Sequence, residues 1–196
     1  MRYILLLLLT IIPVFSGPTS LNAAEAMVST ANRHASEAAA AMLKQGGSAV
    51  DAAIAALLVL SFVEPQSSGI GGGAFLLHFA GKDGQIDAYD GREKAPAAAT
   101  PELFLQANGE PMGFMAAVVG GRAVGVPGVI KMFELAHKAH GKLAWADLFA
   151  PAIKLAENGF AVSPRLSGLI ARFKRLRGQP TTQDYFYVTR GGVRKH

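Results

Sequence analysis

Between Ala52 and Val63 the chain reads AAIAALLVLSFV, and Ser61 is the one polar residue in that run. Alanine and leucine favour helix. Just before it, Ser48-Ala49-Val50-Asp51 has the spacing of a capping box, with aspartate in place of the usual glutamate. Asp51 also lies in the first turn, where a negative charge suits the helix dipole. A helix that is apolar on every face must be buried on every face, so this element is expected to be central, with other layers around it. Glu64-Pro65 ends it, because the residue before proline is pushed out of helical conformation. The run is too short to span a bilayer, which takes about 20 residues.

The surrounding segments supply candidate layers. Met27–Thr30 reads as a short strand or lead-in, and Glu37–Lys44 as an alanine-rich helix closed by Gly46-Gly47. Ala74–Ala80 and Gln85–Tyr89 flank Gly81-Lys82-Asp83-Gly84, a turn, so they predict a hairpin. Pro101–Gln106 predicts a helical turn, Asn108-Gly109 a turn, and Met115–Val119 a strand. After the glycine-rich crossing Gly120–Gly128, the apolar spacing predicts a helix over Val129–His140. Trp145–Asn158 predicts another, divided at Pro151, and Ser163-Pro164 opens a last one to about Arg177. The order is helix, helix, hairpin, then mainly helices: an α+β chain with few strands. Too little sheet is in view to cover the Ala52–Val63 helix, so the isolated chain is expected to fold poorly or to need a complementary polypeptide.

Four glycines crowd Gly69–Gly73, and Gly69, Gly71 and Ala74 match the G-x-G-x-x-A spacing of dinucleotide sites. That motif needs a strand before it and a helix after it, so that the pyrophosphate meets the helix N-terminus. Here a helix enters and a strand leaves, and no GK[ST] follows, which excludes a P-loop. The glycines instead allow close backbone approach between a buried helix and a strand. Arg92, in Asp90-Gly91-Arg92-Glu93, closes the return strand beside this bend. A guanidinium matches a carboxylate with two parallel hydrogen bonds, so Arg92 suits an amino-acid-like ligand. It equally suits a surface ion pair with Asp90 or Glu93.

At the N-terminus, Met1-Arg2, the apolar stretch Ile4–Phe15 and the small residues of Ala24-Glu25-Ala26 have the layout of a secretory signal peptide over residues 1–26. Ser16 offers a second cleavage point, and an uncleaved anchor is the alternative. The expected address is periplasmic or secreted, without stable membrane insertion. There is no cysteine, so neither disulfides nor thiolate metal sites are available. The net charge of +5 is concentrated in the last 32 residues, from Arg165 to Lys195. No nucleic-acid motif surrounds those cations, and they read as a solvated helix face and a loose tail. His34, His78, His137 and His140 have no evident acid partner; His137 and His140, three apart, lack a third metal ligand and read as exposed helix residues. No G-x-S-x-G elbow is present.

The segments QGGSAVDAAIAALLVLSFVEPQSSGIGGGAFLLHF, YDGREKAP, GVPG and LFAPAIKLAENGF occur in an order that resembles gamma-glutamyltransferases, also called glutathione hydrolases. The resemblance runs from about Met27 to about Tyr187, and it is to the first part of the large subunit. It implies an N-terminal nucleophile hydrolase, with two sheets stacked between helical layers (αββα), represented here by an N-terminal portion. It implies a precursor that cuts itself into two subunits, whose newly exposed threonine attacks the γ-glutamyl amide of substrates such as glutathione. Water or an amino-acid or peptide acceptor then resolves the acyl-enzyme, with no metal or cofactor. By the same resemblance Arg92 holds the substrate α-carboxylate, and variation at position 91 leaves room for Gly91. The nucleophile belongs to a small-subunit polypeptide downstream. Thr181-Thr182-Gln183 echoes its T-T-H-like start but has glutamine for histidine, so no catalytic residue is assigned in this chain. Residues 27–187 are thus expected to be partial large-subunit domain, and residues 188–196 a divergent basic tail. A non-catalytic exported domain binding γ-glutamyl or amino-acid ligands, and an inert truncated product, are the alternatives.

Overall fold

In the computed structural model, residues 26–187 are described; the expected signal segment, save residue 26, and the basic tail lie outside them. Helix α1 (Arg33–Lys44) begins four residues earlier than its alanine-rich run, because Asn32 caps it: its side chain accepts from the His34 N–H. Helix α2 (Ala49–Val63) starts on the expected capping box, Ser48 and Asp51 each accepting the other's backbone N–H. The strands β1 (Phe75–Ala80) and β2 (Gln85–Asp90) form an antiparallel hairpin. Then come α3 (Phe114–Val118), α4 (Val129–His140), α5 (Ala150–Asn158), α6 (Pro164–Arg172) and α7 (Pro180–Phe186).

Residues 27–30 form the lead-in to α1, with no strand partner. Three expectations change. Met115–Val119, expected to be a strand, is the short helix α3; a five-residue apolar run carries no period to decide between the two. Trp145–Phe149 is a 3-10 turn, and α5 starts after it with Pro151 in its first turn, where proline fits. The helix opened by Ser163-Pro164 stops at Arg172 and is followed by a separate 3-10 turn over Lys174–Gly178 and by α7, which was not expected.

Helix α2 is the centre, as its composition requires. It packs against α1, α4, α5 and the Trp145–Phe149 turn, and Ile54, Ala55 and Val59 are fully enclosed. Apart from Phe62, exposed by 38% near its C-terminal end, its shortage of cover is on one side. There Ala53, Leu57 and Leu60 line an open cavity of about 710 Å³ that runs on to Phe75 and Leu77 of β1. The real shortage lies on the hairpin. Its inward face carries Leu76, His78, Asp87 and Tyr89, while its outward face carries Phe75, Leu77, Phe79 and Ile86, all exposed, Leu77 by 75%. The more apolar face of the sheet thus meets water.

Two buried carboxylates tie the helices together. Asp51 is fully enclosed, and its Oδ2 accepts the backbone N–H groups of Ser48 (2.8 Å), Lys142 (2.9 Å) and Leu143 (3.2 Å). Burial pushes its carboxyl up, but those donors hold it below the ordinary 3.8. Glu64, the last cap of α2, accepts from Asn32 at 3.2 Å, from Gln66, and from Arg165 on α6. Arg165 therefore leaves the set of solvated terminal cations and joins an ion pair with a buried partner. Burial raises the Glu64 carboxyl, and the amides and guanidinium outweigh it, leaving the group lowered from 4.5.

Candidate functional site

Three backbone segments converge beside the N-terminus of α4. The carbonyl of Gly72 accepts from the N–H groups of Gly128 (3.1 Å) and Val129 (3.2 Å). The hairpin ladder continues one pair beyond its strands, Gly91 N–H to Ala74 carbonyl at 2.9 Å. Lys94 and Val126 form an antiparallel bridge. This crowding explains the glycines. A Cβ on Gly128 would lie 2.5 Å from the Gly91 oxygen and 3.0 Å from the Arg92 oxygen. One on Gly73 would lie 2.7 Å from the Gly91 oxygen and 2.5 Å from Oε2 of Glu93, whose carboxylate rests against the bare bend.

Arg92 leaves this junction directly. Asp90 accepts its backbone N–H at 2.8 Å, so Asp90 orients the turn and not the guanidinium. Arg92 Nε is 3.6 Å from Glu93 Oε2, and the side chain is 71% exposed. Such a pair contributes little, about 0–1 kcal/mol, and the five guanidinium donors remain available to a ligand. The backbone of Arg92 is stitched to the glycine bend, while its head lies at the edge of a groove of about 310 Å³.

Arg122, Lys94, Leu103, Phe104 and Pro96 also line that groove. Arg122 donates from Nη1 to the Leu103 carbonyl at 3.1 Å, which ties its head to the Leu103 segment. Arg92, Arg122 and Lys94 thus face a groove with Glu93 as their single lining carboxylate. This field favours an anion carrying one or more carboxylates. Sequence reasoning missed Arg122, although it sits inside the second glycine-rich crossing. The signal was the repeated pattern of an arginine beside glycines in two segments that must approach one another.

The other candidates fall elsewhere. Thr181 and Thr182 lie within α7, well inside the chain. The histidines do have acid neighbours, contrary to expectation. His78 Nδ1 and His140 Nε2 lie 3.7 Å and 3.3 Å from Asp87, His137 Nε2 lies 3.5 Å from Asp51, and His34 Nδ1 lies 4.0 Å from Glu37. Nor are His137 and His140 exposed. His137 contacts the Leu143 carbonyl at 3.0 Å, and His140 stacks on His78.

The mixed α and β structure, with its central apolar helix and hairpin, is shared with solved N-terminal nucleophile hydrolases, to which the chain is similar over about half of their length. The sequence profile of the family described as Gamma-glutamyltranspeptidase matches residues 35–196, and the chain belongs to that family. The match runs on through residues 188–196. The chain is 42% identical to the glutathione hydrolase proenzyme of Bacillus subtilis (strain 168) over 162 residues, 83% of this chain and 28% of that one. Its structure is similar to that of Helicobacter pylori gamma-glutamyltranspeptidase, with a TM-score of 0.79 and 34% identity, covering 87% of this chain and 48% of that one. It is also similar to the Pseudomonas nitroreducens gamma-glutamyltranspeptidase complexed with L-DON, with a TM-score of 0.76 and 36% identity, covering 82% and 48%. The chain therefore spans about a quarter of the curated relative and half of each solved chain.

Proposed function

We propose that this chain is the N-terminal large-subunit portion, over residues 27–187, of an exported enzyme that cleaves γ-glutamyl amides such as glutathione and transfers the γ-glutamyl group to water or to an amino-acid or peptide acceptor. Residues 1–26 act as the leader; no described helix is long and apolar enough to cross a membrane. Arg92 holds the substrate α-carboxylate through paired N–H donors, and Arg122 raises the positive potential across the groove. The threonine nucleophile comes from a small-subunit polypeptide that also covers the outward face of the hairpin. The chain alone therefore binds without turnover. The observation that carries this reading is an arginine with free donors, rooted in the glycine junction of a gamma-glutamyltranspeptidase family member.

Calorimetric titration with glutathione and with glutamate tests it, using wild type, Arg92→Ala and Arg92→Lys. Both substitutions are expected to weaken binding, alanine by about 10-fold or more and lysine by less, because an ammonium keeps the charge and loses the two-pronged geometry. Equal affinity in all three removes Arg92 from the site. A γ-glutamyl chromogenic substrate should give no product with this chain alone, and turnover would show that it carries its own nucleophile.

A further inference from the structure

On the inward face of the hairpin, away from the arginine groove, His78 and Asp87 are directly opposed partners in the β1–β2 register. His140, the last residue of α4, lays its ring on that of His78, with centroids 3.7 Å apart and 17° between planes. Asp87 Oδ2 points between them, 3.7 Å from His78 Nδ1 and 3.3 Å from His140 Nε2. The three ligand atoms lie within 4.8 Å of one another, and all three residues are half-buried.

Hydrogen bonding leaves this cluster incomplete. The distance from Asp87 to His78 exceeds that of a hydrogen bond, and His78 Nδ1 is buried without any hydrogen-bond partner. A divalent ion would give the unpartnered His78 nitrogen a bond, because it takes neutral imidazoles and an ionised carboxylate as ligands. Ligands held about 2.0–2.1 Å from a tetrahedral ion lie roughly 3.3 Å apart, and an imidazole offers its lone pair in the ring plane, so binding requires one of the two rings to turn out of the stack. The competitor is the Tyr89 hydroxyl, 2.8 Å from His140 Nε2.

We propose that His78, Asp87 and His140 bind a divalent transition-metal ion of the zinc class, which clamps the hairpin to α4. Two nitrogens and one oxygen, with no sulfur, suit zinc, cobalt, nickel or copper better than calcium or magnesium. The fourth position goes to water. The ion supports, from behind, the strand whose continuation carries Arg92.

The test is Co²⁺ titration of the untagged full chain, read by the visible absorption of four-coordinate cobalt, with Zn²⁺ competition and equilibrium dialysis for stoichiometry. One ion per chain is expected. His140→Asn and Asp87→Asn should each weaken binding by about 10-fold or more, with the far-UV circular dichroism of the ion-free proteins unchanged. Tyr89→Phe should bind as tightly as wild type or several-fold tighter, because the competing hydrogen bond is gone. A merely structural role for these residues would not give opposite effects. Absence of the cobalt band in wild type and Tyr89→Phe, or affinity unchanged in Asp87→Asn, overturns the site.

Discussion

Asp51 shows how one carboxylate does several jobs. It caps α2 through Ser48 and then holds the loop after α4 through the Lys142 and Leu143 N–H groups. Removing it takes the acceptor from three backbone donors, so Asp51→Ala is expected to cost about 2–4 kcal/mol, measured by urea denaturation. Its carboxyl and that of Glu64 are both lowered on folding. Their contribution is therefore complete above the unfolded values of 3.8 and 4.5 and is lost as pH falls below them. Midpoints followed from pH 7 to pH 3 should drop most steeply below about pH 4.5, and Asp51→Asn should flatten that slope. A slope unchanged by the substitution would remove Asp51 from the acid response.

Among the elements, the glycine junction is the most sensitive. Gly128→Ala places a methyl against the backbone oxygens of Gly91 and Arg92, and backbone cannot swing aside as a side chain can. A loss of about 1–3 kcal/mol is expected, together with weaker glutathione binding, since Arg92 shares the displaced segment. Gly71→Ala, where nothing lies within 4 Å of the added carbon, should leave both unchanged and serves as the control. Much at this scale was legible before any coordinates. The Ser48–Asp51 box marks the start of α2, and the spacing of Val129, Met132, Phe133 and Ala136 marks the buried face of α4. The hairpin was expected, but not that its register opposes His78 to Asp87. What the sequence hid was long-range: His140 reaches the hairpin only because α4 crosses it. Arg122 likewise joins Arg92 only because residues 94 and 126 pair. The helical state of Phe114–Val118 was ambiguous because its composition suits either state.

For the whole molecule, the exposed apolar face of the hairpin governs behaviour in solution. Large exposed patches of this kind mark surfaces that belong against another polypeptide. The isolated chain is expected to bind a hydrophobic dye and to self-associate. Replacing Leu77 and Phe79 together by lysine should reduce both effects while changing stability by less than about 0.5 kcal/mol per site, because neither side chain packs inward. A dye-free monomer with a sharp thermal transition would remove the need for a covering layer.

The two-stranded ribbon has one further consequence. Each strand has only one neighbour among the described residues, so each carries a row of main-chain donors and acceptors along its outer side. A newcomer that docks there by adding a strand is recognised through its peptide groups, whatever its side chains. The ribbon is thereby open to any polypeptide able to add a strand, a copy of itself included.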